Sequence, residues 1–163
     1  GKIIGLARRA ESRQPMEELR IAVLTPELGV LGDCKGRLHP DSQLTIMAVE
    51  SWQAALMDLG GPAGPPDVPW TGRRANVLVE GVALPRGIGT ILALGECLVQ
   101  VVRETTPCNR MEDTYPGLRR ALTPDWRGGV TCKVLTGGGI MIGDHVRALK
   151  AGVEARKVVL PGE

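Results

Sequence analysis

The chain has 163 residues, of which 43% are hydrophobic and 23% charged, so it is long enough for one globular domain and has an ordinary globular composition. Its 20 basic and 18 acidic residues give a formal net charge of +2, too small for the positive field of a duplex-binding protein, and three Trp and one Tyr offer few rings for stacking bases. No apolar run approaches the roughly 18 residues of a membrane-spanning helix and no secretory signal opens the chain, so we expect a cytoplasmic protein that binds neither nucleic acid nor membrane.

Strand signals dominate the chain from its first residues onward. Short stretches rich in β-branched residues are separated by Gly or Pro, which is typical of strands joined by turns. In chain order the predicted strands are 2–6, 20–25, 43–47, 76–84, 90–94, 97–103, 130–135, 139–144 and 144–149. Such a series predicts a mostly β fold, either a barrel or a sandwich.

One segment has a clear helical period. Apolar side chains at Trp52, Ala55, Leu56 and Leu59 recur at i, i+3, i+4 and i+7, which predicts a helix over about 48–59. Gly60 follows as a stop signal. A second, short helix is predicted over 115–122, so the helices are few and peripheral.

Glycine marks the predicted turns. Three triplets place Gly and an acid between apolar stretches and predict tight turns: Leu31-Gly32-Asp33, Leu94-Gly95-Glu96 and Ile142-Gly143-Asp144. Three glycines at 137–139 predict a hairpin turn rather than a phosphate loop, because no helix follows them. Residues 60–72, with four Pro and four Gly, predict a loop. That loop is either a plain connection or a lid over a pocket, with Trp70 as the contact.

The four cysteines are scattered, without a CxxC pair or a His spaced for zinc, so we expect thiols rather than disulfides. Cys97 and Cys132 lie inside apolar runs, where cysteine acts as a small buried hydrophobe. Cys34 follows a turn, and its setting is less defined. Cys108 differs from all three because it follows a proline.

Cys108 is the candidate reactive thiol. Pro107 lacks an N–H and restricts the residue before it, so the preceding strand is expected to end there and to leave Cys108 at a barrel mouth. Arg103 and Arg110 lie on either side of it in sequence, and nearby positive charge favours the thiolate, the form that ligates metals or attacks sulfur. From the residues alone, a functional Cys108 and an incidental loop cysteine are both open.

The order of motifs resembles the MOSC domain, the module of molybdenum-cofactor sulfurases and of amidoxime-reducing proteins. The stretches that carry the resemblance are GVLGD (29–33), QLTIMAVE (43–50), RRANVLVEGVAL (73–84), IGTILALGECLVQV (88–101), PCNRM (107–111) and GGVTCKVLTGGGIMIGDHV (128–146). The resemblance implies a MOSC-type β-barrel and a single domain over 1–163, with its core at about 20–149.

The resemblance also implies a site. Cys108 matches the cysteine that ligates molybdenum or carries a persulfide, and Arg74 and Asn76 match an R-x-N motif that holds the pterin and its phosphate. A guanidinium group binds phosphate through two parallel hydrogen bonds, and a side-chain amide both donates and accepts hydrogen bonds. Gln43 falls at a family position near the pocket. Beside the residues that the resemblance implies, we expect the cations Lys35, Arg103 and Arg110 to lie around the bound anion and to complete the set of cofactor-binding residues.

The chain departs from the family pattern at two places. Cys34 and Lys35 stand where many members have Arg-His, and Ser42 stands where an Arg often precedes Gln. His39 lies downstream but out of register. These departures change part of the expected cofactor contact set.

Three functions follow from the resemblance and the residues. The first is binding of molybdenum cofactor through Cys108, for reduction of N-hydroxylated compounds with electrons from an electron-transfer protein. The second is a persulfide carrier that receives sulfur from a cysteine desulfurase; pyridoxal phosphate would belong to that partner, since this chain lacks a pyridoxal lysine motif. The third is a non-catalytic anion-binding or interaction barrel in which Cys108 is incidental.

Overall fold

The computed structural model describes residues 1–149 of the chain. Eleven strands are present in it: β1 Lys2–Arg8, β2 Glu17–Leu19, β3 Ile21–Thr25, β4 Gly29–Val30, β5 Leu44–Ala48, β6 Val77–Glu80, β7 Ile91–Leu94, β8 Cys97–Glu104, β9 Val130–Thr136, β10 Gly138–Met141 and β11 Val146–Ala148. The α-helices are α1 Cys34–Leu38, α2 Val49–Gly60, α3 Arg110–Thr114 and α4 Leu118–Leu122. Short 3-10 turns cover Gly61–Ala63, Trp70–Arg73 and Pro124–Trp126.

The strands form one large and one small sheet. The large sheet has eight strands in the order β11-β7-β8-β9-β5-β6-β1-β2, and the small sheet has the order β10-β3-β4. All pairs are antiparallel except β5 with β6, which are parallel because α2 crosses over between them. The mostly β fold with one main helix, predicted from the sequence, is therefore confirmed.

The large sheet is strongly curved, but in the described residues continuous strand pairing does not close it into a barrel. An isolated bridge joins Lys2 to His145 where β1 approaches the start of β11. Backbone hydrogen bonds from Ile3 N to Asp144 O and from Val146 N to Gly1 O, both 2.9 Å long, support that bridge. The two ends of the sheet thus meet through a few hydrogen bonds.

Two apolar clusters cover opposite faces of the large sheet. The inner cluster takes side chains from nearly every strand, including the fully buried Leu44 and Ile46 of β5. The outer cluster takes the alternate residue Met47, and Trp52 and Leu56 of α2 pack there. Each such large buried side chain contributes about 2 kcal/mol. The apolar stripe that predicted α2 is the face that covers the sheet.

The local predictions agree with the structure at most elements. The main helix begins one residue later than predicted, the short helix over 115–122 is present as α4, and each predicted strand overlaps an observed one. The three Gly-acid triplets lie at turns, with φ of 86° at Gly32, 56° at Gly95 and 97° at Gly143. Of the predicted single domain, residues 150–163 lie outside the described residues.

The predicted hairpin at 137–139 is wrong. β9 pairs with β8 and β5, whereas β10 pairs with β3, so the chain leaves one sheet and enters the other at these glycines. Gly137 passes so close to β3 that a Cβ there would overlap the Leu24 carbonyl oxygen. Glycine is needed for close approach of two backbones and not for a two-strand turn.

Within residues 1–149, none of the helices has both the length and the apolar character that crossing a membrane requires.

A pair of alanine substitutions tests the sheet switch. We expect Gly137→Ala to lower the free energy of unfolding by about 2 kcal/mol or more, since the new Cβ meets backbone that has little room to move. Gly139→Ala is the matched control, because its Cβ would enter open space, and we expect a change within about 1 kcal/mol. Urea unfolding measures both, and equal effects would contradict the close approach at Gly137.

Candidate functional site

Cys108 lines a cavity of about 380 Å³ that lies against the outer face of the large sheet. We call it the thiol cavity. Thr45 of β5 and Arg103 of β8 line it, and both pair with Thr131 across the sheet, so the three side chains share one face. Their neighbours Leu44 and Cys132 point into the inner cluster on the opposite face. Cys108 therefore follows the end of β8 and faces a cavity beside the sheet.

The segment that carries Cys108 is held at both ends. Thr105 donates its backbone N–H to Gly129 O at 2.9 Å, and its hydroxyl lies 2.7 Å from the Thr131 hydroxyl. Beyond the cysteine, Met111 is buried and donates its N–H to Cys108 O at 3.0 Å as α3 begins. Two fixed ends leave the Cys108 side chain exposed between them.

The other three cysteines are buried. Burial raises the pKa of the Cys97 thiol to about 11, and negative charge on Asp144 and Glu96 adds to that effect. Burial raises the pKa of Cys132 to about 12, with Lys35 opposing. Cys108 is thus the accessible thiol among the described cysteines, as predicted from Pro107.

Six cationic side chains surround the thiol cavity, and no carboxylate is found among the described residues that line it. The six are Arg9, Lys35, Arg73, Arg74, Arg103 and Arg110. In the described part of the chain, no carboxylate oxygen lies within 4.0 Å of the ammonium or guanidinium nitrogens of these six residues. The cavity therefore has a strong local positive charge although the net charge of the protein is small.

Arg73 also lines the thiol cavity, although it was not in the expected set of cofactor-binding residues. It is only 6% exposed, and its guanidinium donates to Gly128 O at 3.2 Å and to Thr105 O at 3.1 Å. Burial lowers its pKa to about 10, while negative charge on Cys108 raises it. Arg73 thus joins the segment before Cys108 to the segment before β9. Its adjacency to Arg74 in the motif was the available signal.

Arg74 and Arg9 each have a buried Nε–H group that lacks an acceptor in the described structure. Arg74 ends the 3-10 turn in a left-handed conformation, with φ 67°, and donates Nη2 to Gln14 O at 2.6 Å. The Nε atoms of Arg9 and Arg74 are buried without a hydrogen-bond partner in the described structure. Burial lowers the pKa of Arg74, and repulsion from Arg9 and Arg110 lowers it further. Buried donors without acceptors are rare, and a bound anion is one explanation.

Lys35 reaches the cavity from α1. The carboxylate of Asp33 caps this helix and accepts the backbone N–H groups of Lys35 at 3.0 Å and of Arg9 at 2.9 Å. The Lys35 ammonium donates to the Thr45 hydroxyl at 2.8 Å. Burial lowers the pKa of Lys35 to about 8, and Arg103, Arg73 and Arg9 add to the effect. Lys35 is therefore a cation that titrates near neutral pH.

Arg103 and Arg110, which lie on either side of Cys108 in sequence, line the same cavity as its thiol. Arg103 donates Nη1 to the Ser42 hydroxyl at 2.5 Å, so the serine that departs from the family pattern holds this guanidinium. Arg110 is the first residue of α3 and is half-buried. His39, which follows α1 as its C-cap, is exposed at the edge of the same cavity.

The structure does not bring Asn76 and Gln43 to the cavity lining. Both side chains are buried, and their polar atoms already bind backbone. Asn76 accepts from Thr45 N at 3.0 Å and donates to Ala7 O at 3.2 Å, which ties β5 to β1. Gln43 accepts from Val134 N and donates to Pro26 O, both at 2.7 Å. These two amides hold the strands from which the cavity is built.

The loop over 60–72 is not a lid of the thiol cavity. Trp70 is half-buried against the outer cluster, its ring lies over Gly5 of β1, and its Nε1 donates to Glu18 at 3.2 Å. The loop instead delivers Arg73 and Arg74 through its final 3-10 turn. The end of the loop therefore contributes to the cavity wall, which the lid hypothesis did not predict.

Known families and structures agree with this architecture. A sequence model of the MOSC domain matches residues 33–147. The fold is similar to that of YuaD from Bacillus subtilis, with a TM-score of 0.71 and 16% identity over 89% of this chain and 93% of that one. It is also similar to YiiM from Escherichia coli (TM-score 0.66, 16% identity, 93% and 71% covered) and YiiM from Geobacillus stearothermophilus (0.64, 19%, 94% and 75%). No curated protein sequence matched the chain.

Alkylation of Cys108 tests the charge of the thiol cavity. The quantity measured is the ratio of the alkylation rate with anionic iodoacetate to the rate with neutral iodoacetamide. At low salt we expect this ratio to be about tenfold higher for Cys108 than for free cysteine, because the cavity concentrates anions. High salt and Arg103→Gln should both lower that ratio. Arg147→Gln, on the exposed β11, is the matched control and should not change it. Mass spectrometry follows the rates, and a ratio equal to that of free cysteine would contradict the analysis.

The titration of Lys35 predicts a pH-dependent stability. Its pKa rises from about 8 toward 10.5 on unfolding, so the unfolded state holds more protons between those pH values and wild-type stability rises with pH. We expect Lys35→Met to stabilise the fold by about 1–2 kcal/mol at pH 7, and less at pH 9.5. Lys35→Arg stays charged and should lack the rise. Urea unfolding at both pH values decides, and a pH-independent difference between Lys35→Met and wild type would exclude the titration.

Proposed function

The chain belongs to the MOSC domain family, and on that premise we propose that it binds molybdenum cofactor in the thiol cavity with the Cys108 sulfur as protein ligand of the metal. The proposed activity is molybdenum-cofactor-dependent reduction of N-hydroxylated compounds. The observation that carries this proposal is the combination at one cavity of an accessible thiol with six cations.

The residues present fit the charge of this cofactor. A pterin phosphate is an oxyanion, and guanidinium groups bind such groups with paired hydrogen bonds. The buried Nε atoms of Arg9 and Arg74 are donors in need of an acceptor. A volume of about 380 Å³ falls within the range of small-molecule sites, about 300–1,000 Å³. The fit is weaker for the pterin edge, since Asn76 has both amide atoms engaged with backbone.

Each residue has a distinct part in the proposed site. When bound, the cofactor supplies two-electron redox chemistry at molybdenum. Cys108 provides the soft sulfur donor, and Arg73 holds its segment through the carbonyl of Thr105. Arg9 and Arg74 orient the phosphate. Asn76 acts as a positioning residue because it fixes the strands behind the cavity.

The reduction also needs protons. Converting an N-hydroxyl group to an amine consumes two electrons and two protons and releases water; in our proposal the electrons come from a partner electron-transfer protein. Lys35 Nζ, with a pKa of about 8, holds a proton in the cavity at neutral pH. A group whose pKa lies near the working pH is suited to proton donation.

A second candidate function is sulfur transfer. The exposure of the Cys108 sulfur favours it, because a cysteine desulfurase, which would carry the pyridoxal phosphate, must reach that atom directly. A persulfide is an anion near neutral pH, so the same arginines would stabilise it. The two candidates differ in whether metal or sulfur accompanies the purified protein.

Metal and pterin analysis separates the candidates. We expect wild-type protein from a molybdenum-replete host to carry molybdenum and pterin, and Cys108→Ser to lose most of both, since even outer-shell changes cost about 10–100-fold in metal affinity. Thr106→Ser, an exposed change in the same cavity, should retain wild-type content.

Other outcomes point elsewhere. Persulfide on Cys108 after incubation with a desulfurase, with no molybdenum, would favour sulfur transfer. Molybdenum content that is the same in Cys108→Ser and wild type would rule out Cys108 as the ligand. A cavity that binds anions but neither metal nor sulfur would leave a non-catalytic anion-binding barrel.

A further inference from the structure

A second cavity lies beside the thiol cavity and shares two of its arginines. We call it the side cavity: it has a volume of about 480 Å³ and is lined by Arg13, Arg74, Arg110, Asp113 and Thr114. We infer that the side cavity binds an oxyanion group of the substrate, so that the substrates are N-hydroxylated compounds bearing a phosphate or carboxylate. This inference rests on the proposed function of the thiol cavity.

The charge of the side cavity favours an anion. Three guanidinium groups line it against the single carboxylate of Asp113. In residues 1–149, no carboxylate oxygen lies within 4.0 Å of the guanidinium nitrogens of Arg13, Arg74 or Arg110. Mutual repulsion among these cations is relieved when an oxyanion binds between them.

Hydrogen bonds from side chains to backbone connect the three walls of the side cavity. Arg13 adopts a left-handed φ of 71°, which is uncommon for a residue other than glycine. The next residue, Gln14, accepts Arg74 Nη2 at 2.6 Å, so the loop of Arg13 is tied to the turn of Arg74.

The third wall is α3, which begins at Arg110. The Thr114 hydroxyl of α3 lies 3.2 Å from Gly72 O, and a Cβ at Gly72 would lie 2.6 Å from the Thr114 methyl. Helix and turn are therefore in direct contact. The arginines converge because the fold holds them, and preformed geometry of this kind is typical of binding sites.

The division of residues between the cavities separates substrate from cofactor. Cys108, Lys35 and Arg73 line only the thiol cavity, whereas Arg13 lines only the side cavity. Arg74 and Arg110 form the wall between them. A ligand whose N-hydroxyl group reaches the thiol cavity and whose oxyanion lies beyond that wall would contact both. An uncharged N-hydroxylated compound would leave Arg13 without a partner.

Anion binding by the purified protein is the first test. We titrate inorganic phosphate and, separately, acetate into wild type, Arg13→Ala and Arg20→Ala, and measure affinity by calorimetry. Arg13→Ala should weaken the preferred anion about tenfold, the loss of one charge-assisted hydrogen bond. Arg20→Ala removes an exposed arginine outside both cavities and should have no effect. The anion that depends on Arg13 identifies phosphate or carboxylate as the group bound.

Molybdenum content of the same variants separates the side cavity from the cofactor. Arg13→Ala should carry as much molybdenum as wild type. If Arg13→Ala loses both its molybdenum and its anion affinity, the side cavity belongs to the cofactor site and this inference is overturned. An unchanged anion affinity in Arg13→Ala would also overturn it. Absence of molybdenum from wild type would instead overturn the proposed function, while the effect of Arg13→Ala on anion affinity would still be measured.

Binding of a matched substrate pair completes the test. Phenylhydroxylamine and its 4-carboxy derivative differ in one carboxylate, and calorimetry on the cofactor-loaded protein compares them. We expect the carboxylate to increase affinity about tenfold in wild type and not in Arg13→Ala. Equal binding of the two compounds by wild type would overturn the assignment of substrate class.

Discussion

The buried guanidinium of Arg73 is the interaction on which the candidate site depends. A cation removed from water is costly unless hydrogen bonds and opposite charge replace its hydration. Here the carbonyls of Gly128 and Thr105 accept its N–H groups, and negative charge on Cys108 raises its pKa against the effect of burial. Gly128 has no side chain because a Cβ there would overlap the Thr105 carbonyl. The arginine therefore holds the segment that precedes Cys108, and negative charge on Cys108 favours the charged form of the arginine.

Around this pair the fold holds cations closer together than their mutual repulsion favours. The lowered pKa values of Lys35 and Arg74 record that repulsion together with burial. Their positions are enforced by backbone contacts, among them the Asp33 cap of α1 and the Asn76 bridge between β1 and β5. Such crowding lowers stability, and proteins retain it where binding requires it. The buried amides thus fix the strands behind the cavity, and the cations that line it supply its positive charge.

Prediction from the sequence succeeded where one local rule decides the outcome. The period of Trp52 and Leu56 predicts α2, and Pro107 correctly indicated that the strand ends before Cys108, which is exposed. Prediction from the sequence failed where a strand or a side chain pairs with residues that are distant in the chain. β10 leaves β9 for β3, which lies more than a hundred residues earlier, and no turn residue records that choice. The sequence suggested that Asn76 binds a pterin, yet its amide forms hydrogen bonds with the backbone of β1 and β5. These partners are distant in the chain and become known only when the sheet is assembled.

At both places where the sequence departs from the pattern it resembles, the structure brings a cation to the thiol cavity. Where many members carry Arg-His after the Gly-Asp turn, Cys34 is buried and the cation is Lys35, whose ammonium reaches the Thr45 hydroxyl. Where an Arg often precedes Gln, Ser42 accepts a hydrogen bond from Arg103 and so directs a cation from β8. Arg keeps its charge at every physiological pH, whereas Lys35 loses its charge as the pH rises through about 8. One of the six cations at the thiol cavity is therefore titratable near neutrality, and the attraction of this cavity for anions weakens in mildly alkaline solution.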